Sequence, residues 1–352
     1  MLIAPGPSQR LPAAGVGRRV SPFQEFTMSR TRILSLACLL GITATTFAGP
    51  ANYPMTKTVD RVDEYHGTKV PDPYQWLEND VRESKEVEDW VHEQNKVTFS
   101  YLETIPERAQ IKELVTKLWN YERYSAPFRA GGRYFFTKND GLQPQSVWYV
   151  MDSLNAEPRV LLDPNTMSTD GTVAISGFSV SDCGKYVAYA TADSGSDWNI
   201  WRVRDIDAGK DTGDELRWIK FSGVSWTPDS HGFFYSRFPQ PPKGEEFTAL
   251  NKNMKVYYHR LGTPQSEDVL VYERRDQPEW NFGAGVTEDG RYLIIGTSVG
   301  TDDRNRVTYK DLSEPYSTTI DLIDNFDDEY SFIANDGPVF YFQTKHDATA
   351  NK

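Results

Sequence analysis

The chain is poor in cysteine: 352 residues hold two, Cys38 and Cys183. Cys38 lies in a segment expected to be removed, and the single remaining thiol cannot close an internal disulfide, so no covalent staple is expected. Cys183, just before a glycine turn, is read as a passive thiol. An excess of cationic side chains is also missing. There are 38 Lys and Arg against 50 Asp and Glu, a net charge of −12, which argues against a nucleic-acid partner because phosphate binding needs a concentrated basic surface. Histidine is scarce. His66, His92, His231, His259 and His346 show no i, i+4 pair and no cysteine partner, so no zinc site is expected. Long hydrophobic runs are absent but for Ile33 to Ile42, which is shorter than the ~20 residues needed to span a bilayer.

That one run is framed as a secretory signal. Arg30 and Arg32 precede it, and Thr46-Phe47-Ala48 ends in the small residue that signal peptidase requires, so residues 28–48 are expected to be cleaved near Ala48. Export to the periplasm or outside the cell follows, with no membrane association after cleavage. Residues 1–27 are rich in Pro, Gly and Arg without periodicity. They are read as a disordered upstream mis-start, with the working start at Met28.

What the sequence does have is aromatic residues in a repeated phrase. Nine Trp, nineteen Tyr and eighteen Phe concentrate in runs that follow a glycine: Gly132-Arg133-Tyr134-Phe135, Gly184-Lys185-Tyr186-Val187, Gly232-Phe233-Phe234-Tyr235, Gly290-Arg291-Tyr292-Leu293 and Gly337-Pro338-Val339-Phe340. The spacing of about 50 residues is that of propeller blades. Glycine supplies the φ > 0 of a hairpin turn, and the run after it has strand composition. Partner strands follow at Ser146–Val150, Asn199–Val203, Lys255–Tyr258 and Arg306–Tyr309. Third strands at Val160–Leu162, Leu216–Ile219 and Val269–Tyr272, and opening strands near Ala174, Val224 and Gly285, bring each repeat to about four antiparallel strands. The fifth repeat has its opening at Tyr330–Ile333 and its Gly337 strand, and the chain ends at Lys352 before a partner strand. The fold expected is mainly β, an incomplete β-propeller of about four and a half blades over residues 121–352, preceded by a helical segment over 53–120.

In that segment Val87, Trp90, Val91, Gln94, Val97, Tyr101 and Leu102 share one face of a helix from about Val81 to Thr104. Pro106 opens a second helix whose stripe is Leu114, Val115, Leu118 and Trp119. So short a joint predicts an antiparallel pair. Their aromatic stripes need a surface: either they cap the propeller, or they dock on a domain outside this chain.

Several motifs promise chemistry that their context withholds. Gly296-Thr297-Ser298-Val299-Gly300 matches G-x-S-x-G, but a nucleophile elbow needs a helix after the serine, and a polar loop and another strand follow. Only His346 comes later in the chain, near its end. Gly283-Ala284-Gly285 lacks the third glycine and the βαβ context of a dinucleotide site. Asp302-Asp303 and Asp327-Asp328-Glu329 lack calcium-loop spacing and read as solvated turns. No catalytic, metal or cofactor-binding residue is therefore assigned, and no cofactor is expected; substrate-contacting residues are not identified.

Four stretches carry a resemblance. Asp72-Pro73-Tyr74-Gln75-Trp76-Leu77-Glu78 resembles the D-P-Y-x-W-L-E signature of the prolyl oligopeptidase family of serine peptidases, and Ser194-Gly195-Ser196-Asp197-Trp198 resembles its S-G-S-D-W. The run from Tyr257 to Asp268 is similar to the family's third blade, and Asp321-Leu322-Ile323-Asp324-Asn325-Phe326 to its passage into the fifth. The resemblance runs from Tyr53 to the end. It implies a seven-bladed propeller that admits short proline-containing peptides and excludes folded proteins. It also implies an α/β-hydrolase domain, with Ser, Asp and His, on which the N-terminal helices would pack, and a monomer when complete. Against that pattern the chain stops in the fifth blade, so it is read as an inactive front portion of such a peptidase. The alternative is a non-catalytic propeller that binds peptides or proteins, since fewer blades can close a ring.

Overall fold

In a computed structural model of the chain, residues 52–348 are described; the expectations for 1–27 and 28–48 fall outside them. The chain divides into two compact units, Met1–Thr104 and Ile105–Lys352, so the boundary runs between the two expected helices and each unit is described by itself.

The first unit contains a hairpin of Val62–Tyr65 (β1) and Thr68–Pro71 (β2) and the helix Lys85–Glu103 (α1). The helix starts later than Val81 because Ser84 accepts a hydrogen bond from the Val87 backbone N–H and caps it. Trp76 is the anchor of this unit. Its indole N–H donates to the Lys57 carbonyl at 2.9 Å, and its ring meets Trp90 of α1 edge-on at 6.4 Å. Trp90 in turn donates to Thr56 Oγ1. The aspartate-proline-tyrosine stretch thus serves to seat one tryptophan against another.

The second unit opens with Arg108–Trp119 (α2), two residues past the Pro106 start. Blade one follows: Arg123–Tyr124 (β3), Phe128–Ala130 (β4), Arg133–Asn139 (β5), Val147–Met151 (β6) and Arg159–Leu162 (β7), with β3 and β4 both paired to β5. Blade two is Val173–Val180 (β8), Tyr186–Asp193 (β9), Asn199–Asp205 (β10) and Lys210–Ile219 (β11). Blade three is Val224–Trp226 (β12), Gly232–Arg237 (β13), Lys255–Arg260 (β14) and Val269–Tyr272 (β15). Blade four is Trp280–Val286 (β16), Tyr292–Val299 (β17), Arg306–Asp311 (β18) and Ile320–Ile323 (β19). Each of blades two to four is a four-stranded antiparallel meander in chain order, and Tyr330–Asp336 (β20) with Val339–Thr344 (β21) forms a two-stranded fifth.

Aromatic and β-branched residues alternate along the second strand of each blade and fill the seams between sheets. Val187 and Tyr189 face blade one while Ala188 and Ala190 face blade three. Trp148 stacks on Phe178 across the first seam with centroids 3.8 Å apart. Hydrogen bonds stitch the same seams at one-repeat intervals. Arg159 donates to the Ile206 carbonyl, Trp226 to the Ser179 carbonyl and Trp198 to the Glu246 carbonyl, spanning 47, 47 and 48 residues.

The repeat glycines divide into two kinds. Gly132, Gly184, Gly290 and Gly337 have φ of 79°, 70°, 73° and 54°, as expected of the turn. Gly232 corrects the expectation: it lies inside β13 without positive φ, and Ser230 carries the left-handed conformation instead, at 57°. Glycine is needed at 232 because a Cβ there would stand 2.2 Å from the His259 carbonyl oxygen.

Candidate functional site: the blade seams and inner-strand cavities

His259, in the Tyr257–Asp268 run that resembles the family's third blade, is fully buried between blades two and three. Its Nδ1 lies 2.7 Å from Asp268 Oδ1 and its Nε2 3.0 Å from Asp214 Oδ1. With a carboxylate at each nitrogen, the ring donates from both and carries a positive charge. Burial alone would push its pKa down, but the two carboxylates outweigh it and hold the group up at about 9. Burial would raise Asp214, yet hydrogen bonds from His259, Thr212 and the Gly262 N–H hold it below the usual carboxylate range. Burial, then donation to Asp268 at 2.5 Å, keeps the Tyr235 hydroxyl protonated well beyond its ordinary pKa. Every member has a partner, so the cluster is a fastener. It has no opening through which a substrate could reach the imidazole.

Two cavities lie against the opening strands of the blades. One, of about 410 Å³, is lined by Ser176, Gly177, Ser179, Asn199 and Phe221. The other, of about 840 Å³, is lined by Phe221, Leu250, Lys252, Asn281, Thr297 and Ser298, among others. Phe221 borders both, is 65% exposed, and has φ of +56°, a conformation that costs a bulky residue of order 1–3 kcal/mol and clusters at binding sites. Just before it Lys220 is buried, its ammonium 3.9 Å from the Trp198 ring and hydrogen-bonded to Asn251 Oδ1. Burial lowers its pKa.

Ser298, whose polar following residues read as an inter-strand loop position, is instead a strand residue paired with Asn281. Ser298 is near the end of β17, followed by a turn and then β18, with no helix; it lines the larger cavity as a strand residue. Gly283 to Gly285 lie within β16. His346 pairs with Asp328 at 2.7 Å at the far end of the second unit. His231 is exposed beside Asp229, His66 occupies the β1–β2 turn, and Cys183 is exposed. Asp302 is taken by Arg304 at 2.5 Å.

The family model for the prolyl oligopeptidase N-terminal β-propeller domain matches residues 53–352. The chain belongs to the prolyl oligopeptidase family. A prolyl endopeptidase of Elizabethkingia meningoseptica is 40% identical over 296 residues, which cover 84% of this chain and 41% of the relative. Prolyl oligopeptidase A of Amanita bisporigera is 36% identical over 338 residues, covering 86% and 44%. Among solved structures, prolyl oligopeptidase B of Galerina marginata bound to a 35mer hydrolysis and macrocyclization substrate superposes with a TM-score of 0.74 at 32% identity, covering 86% of this chain and 45% of that one. The chain thus spans less than half the length of the relatives it matches.

Each of the four family-like stretches is a fastener within its own unit. Trp76 seats on Trp90. Trp198 donates to the Glu246 carbonyl at 2.6 Å and meets Trp218 edge-on. His259 and Asp268 form the buried ionic cluster. Phe326 packs edge-on against Trp280 at 5.2 Å.

Proposed function

We propose that this chain is the propeller-bearing front part of a proline-specific serine oligopeptidase, in which the propeller acts as a size-selective gate for short peptides. The reading rests on the family match over 53–352 together with four built blades and half of a fifth. In the complete protein a serine attacks the carbonyl after proline, a histidine serves as base and then acid, and backbone N–H groups hold the oxyanion. None of those roles falls to a described residue, so the chain alone is inactive. The exposed stripe of α2, formed by Ile111, Leu114, Val115, Leu118 and Trp119, is an apolar face of the kind another domain covers. We assign it to the hydrolase portion.

The test is to assay the purified chain, and the complete product that this reading expects of its gene, with a fluorogenic Gly-Pro amide and a serine-reactive fluorophosphonate. The chain is expected to show neither turnover nor labelling, and the complete product both. Labelling at Ser298 of this chain would overturn the reading. If the complete product binds proline peptides without cleaving them, a binding propeller is the better account. Export is tested by N-terminal sequencing of the mature protein, which should begin near Gly49.

A further inference from the structure

Four aspartates are each followed by glycine: Asp140-Gly141, Asp170-Gly171, Asp289-Gly290 and Asp336-Gly337. At such a pair the glycine amide nitrogen can attack the aspartate Cγ, because no Cβ on the following residue obstructs the approach. The amide proton and the carboxyl OH leave as water, and a succinimide ring closes. Water then opens the ring at either carbonyl, and opening at the main-chain one leaves the chain running through Cβ, which is isoaspartate. The reaction needs an unoccupied amide nitrogen, a carboxyl that is free to turn and can be neutral, and open space at the turn.

Three of the four pairs fail on at least one count. The Gly141 N–H donates to Asn139 Oδ1 at 2.9 Å, and a Cβ at Gly141 would stand 2.4 Å from Asn120 Oδ1, so that turn is occupied and crowded. Asp170 accepts from the Thr172 hydroxyl and backbone N–H, at 2.8 and 3.1 Å. Asp289 accepts from the Thr287 hydroxyl, the Arg291 N–H and Asn335 Nδ2, and the Gly290 N–H donates to the Thr287 carbonyl at 2.7 Å. These hydrogen bonds favour the ionised form and hold Asp170 and Asp289 below the usual carboxylate range.

Asp336 meets every requirement. It is exposed at the last position of β20, and among the described residues its carboxylate accepts no hydrogen bond and forms no ion pair. Gly337 has φ of 54°, its N–H has no acceptor among the described residues, and a Cβ placed on it would meet nothing within 4 Å.

We propose that Asp336-Gly337 is a site of spontaneous isoaspartate formation in the folded chain, and the place where an isoaspartyl methyltransferase using S-adenosylmethionine would act on it. The extra main-chain carbon falls where the fifth sheet is tied to blade four. Asn335 Nδ2 reaches both Asp289 Oδ2, at 2.7 Å, and the Gly337 carbonyl, at 3.1 Å, and Phe340 meets Tyr292 edge-on at 4.9 Å. A longer turn draws Gly337 away from Asn335 and loosens the hairpin from its neighbour. The site stands independently of the peptidase reading.

The experiment ages the full chain for several weeks at physiological temperature and mildly acidic pH. Purified isoaspartyl methyltransferase with labelled S-adenosylmethionine then reports the mark, and peptide mapping with fragmentation that separates isoaspartate from aspartate locates it. Asp336 should accumulate isoaspartate at least tenfold over Asp140, Asp170 and Asp289. In urea, where the caps are gone, the other three should approach it. Asp336→Glu, whose longer side chain would have to close a larger ring, should lose the mark and after ageing melt above wild type. Isoaspartate at 336 no higher than at the other pairs overturns the site, and a tenfold gap that persists in urea overturns its structural basis. Equal melting of aged wild type and aged Asp336→Glu overturns the loosening of the hairpin.

Discussion

The seam between blades two and three and the seam between blades four and five are built from the same repeat and do opposite things. In the first, Gly232 is glycine because the His259 carbonyl leaves no room for a Cβ, and the charges behind it are buried and fully partnered. In the second, Gly283, Gly285 and Gly296 are glycine although a Cβ at any of them would meet nothing within 4 Å. One seam is closed for stability; the other is left open. A residue type that looks uniform in sequence therefore marks a fastener in one place and a vacancy in another, and the deciding quantity is the distance to the nearest atom.

The comparison can be broken most forcefully at His259. His259→Ala strands two buried carboxylates, and removal of one partner from a buried ion pair typically costs about 3–5 kcal/mol; urea denaturation should show it as a midpoint shift. A value near zero would mean that the cluster is not the fastener described. The same cluster makes stability depend on pH in two directions. His259 is raised from 6.5 to about 9, so its contribution is complete below 6.5 and disappears as pH rises through about 9. Asp214 is lowered from 3.8, so its contribution holds above 3.8 and fades as pH falls. Melting temperatures of wild type should therefore drop between pH 8 and 10, and those of His259→Ala should drop less.

Next in size comes the glycine contrast itself. Gly232→Ala forces a Cβ against a backbone carbonyl and should destabilise by about 1–3 kcal/mol, as overpacking does. Gly296→Ala should instead stabilise by about 0.5–1 kcal/mol, since an unstrained strand position gains from losing glycine. Paired thermal melts read both signs, and equal signs would erase the distinction between the seams. Trp198→Phe removes the donation to Glu246 and should cost about 1 kcal/mol. Smallest of all, Ser298→Ala should stay within about 0.5 kcal/mol of wild type in the same melts.

Much of the architecture was legible because propeller blades are local: each is a run of adjacent strands whose turns and aromatic alternation are written in consecutive residues. The G-x-S-x-G stretch could be set aside for the same reason, since the absence of a following helix is a local fact. What escaped was anything that depends on pairing across seams. His259 sits in an ordinary run of strand residues, and nothing within it announces Asp214, 45 residues upstream on the neighbouring blade. Gly232 looked like the other repeat glycines, but its reason for being glycine lies on strand β14.

The one-repeat stitches described earlier bear on how the chain reaches this structure. Bonds such as Arg159 to Ile206, Trp198 to Glu246 and Gly262 to Asp214 each join residues 47 or 48 apart. On a ribosome emitting roughly 5–20 residues per second, the partner for each such bond emerges within about ten seconds of the residue that awaits it. Each blade can thus be locked to its predecessor while the next is still being made. Assembly then proceeds as a relay in which the order of synthesis is also the order of packing.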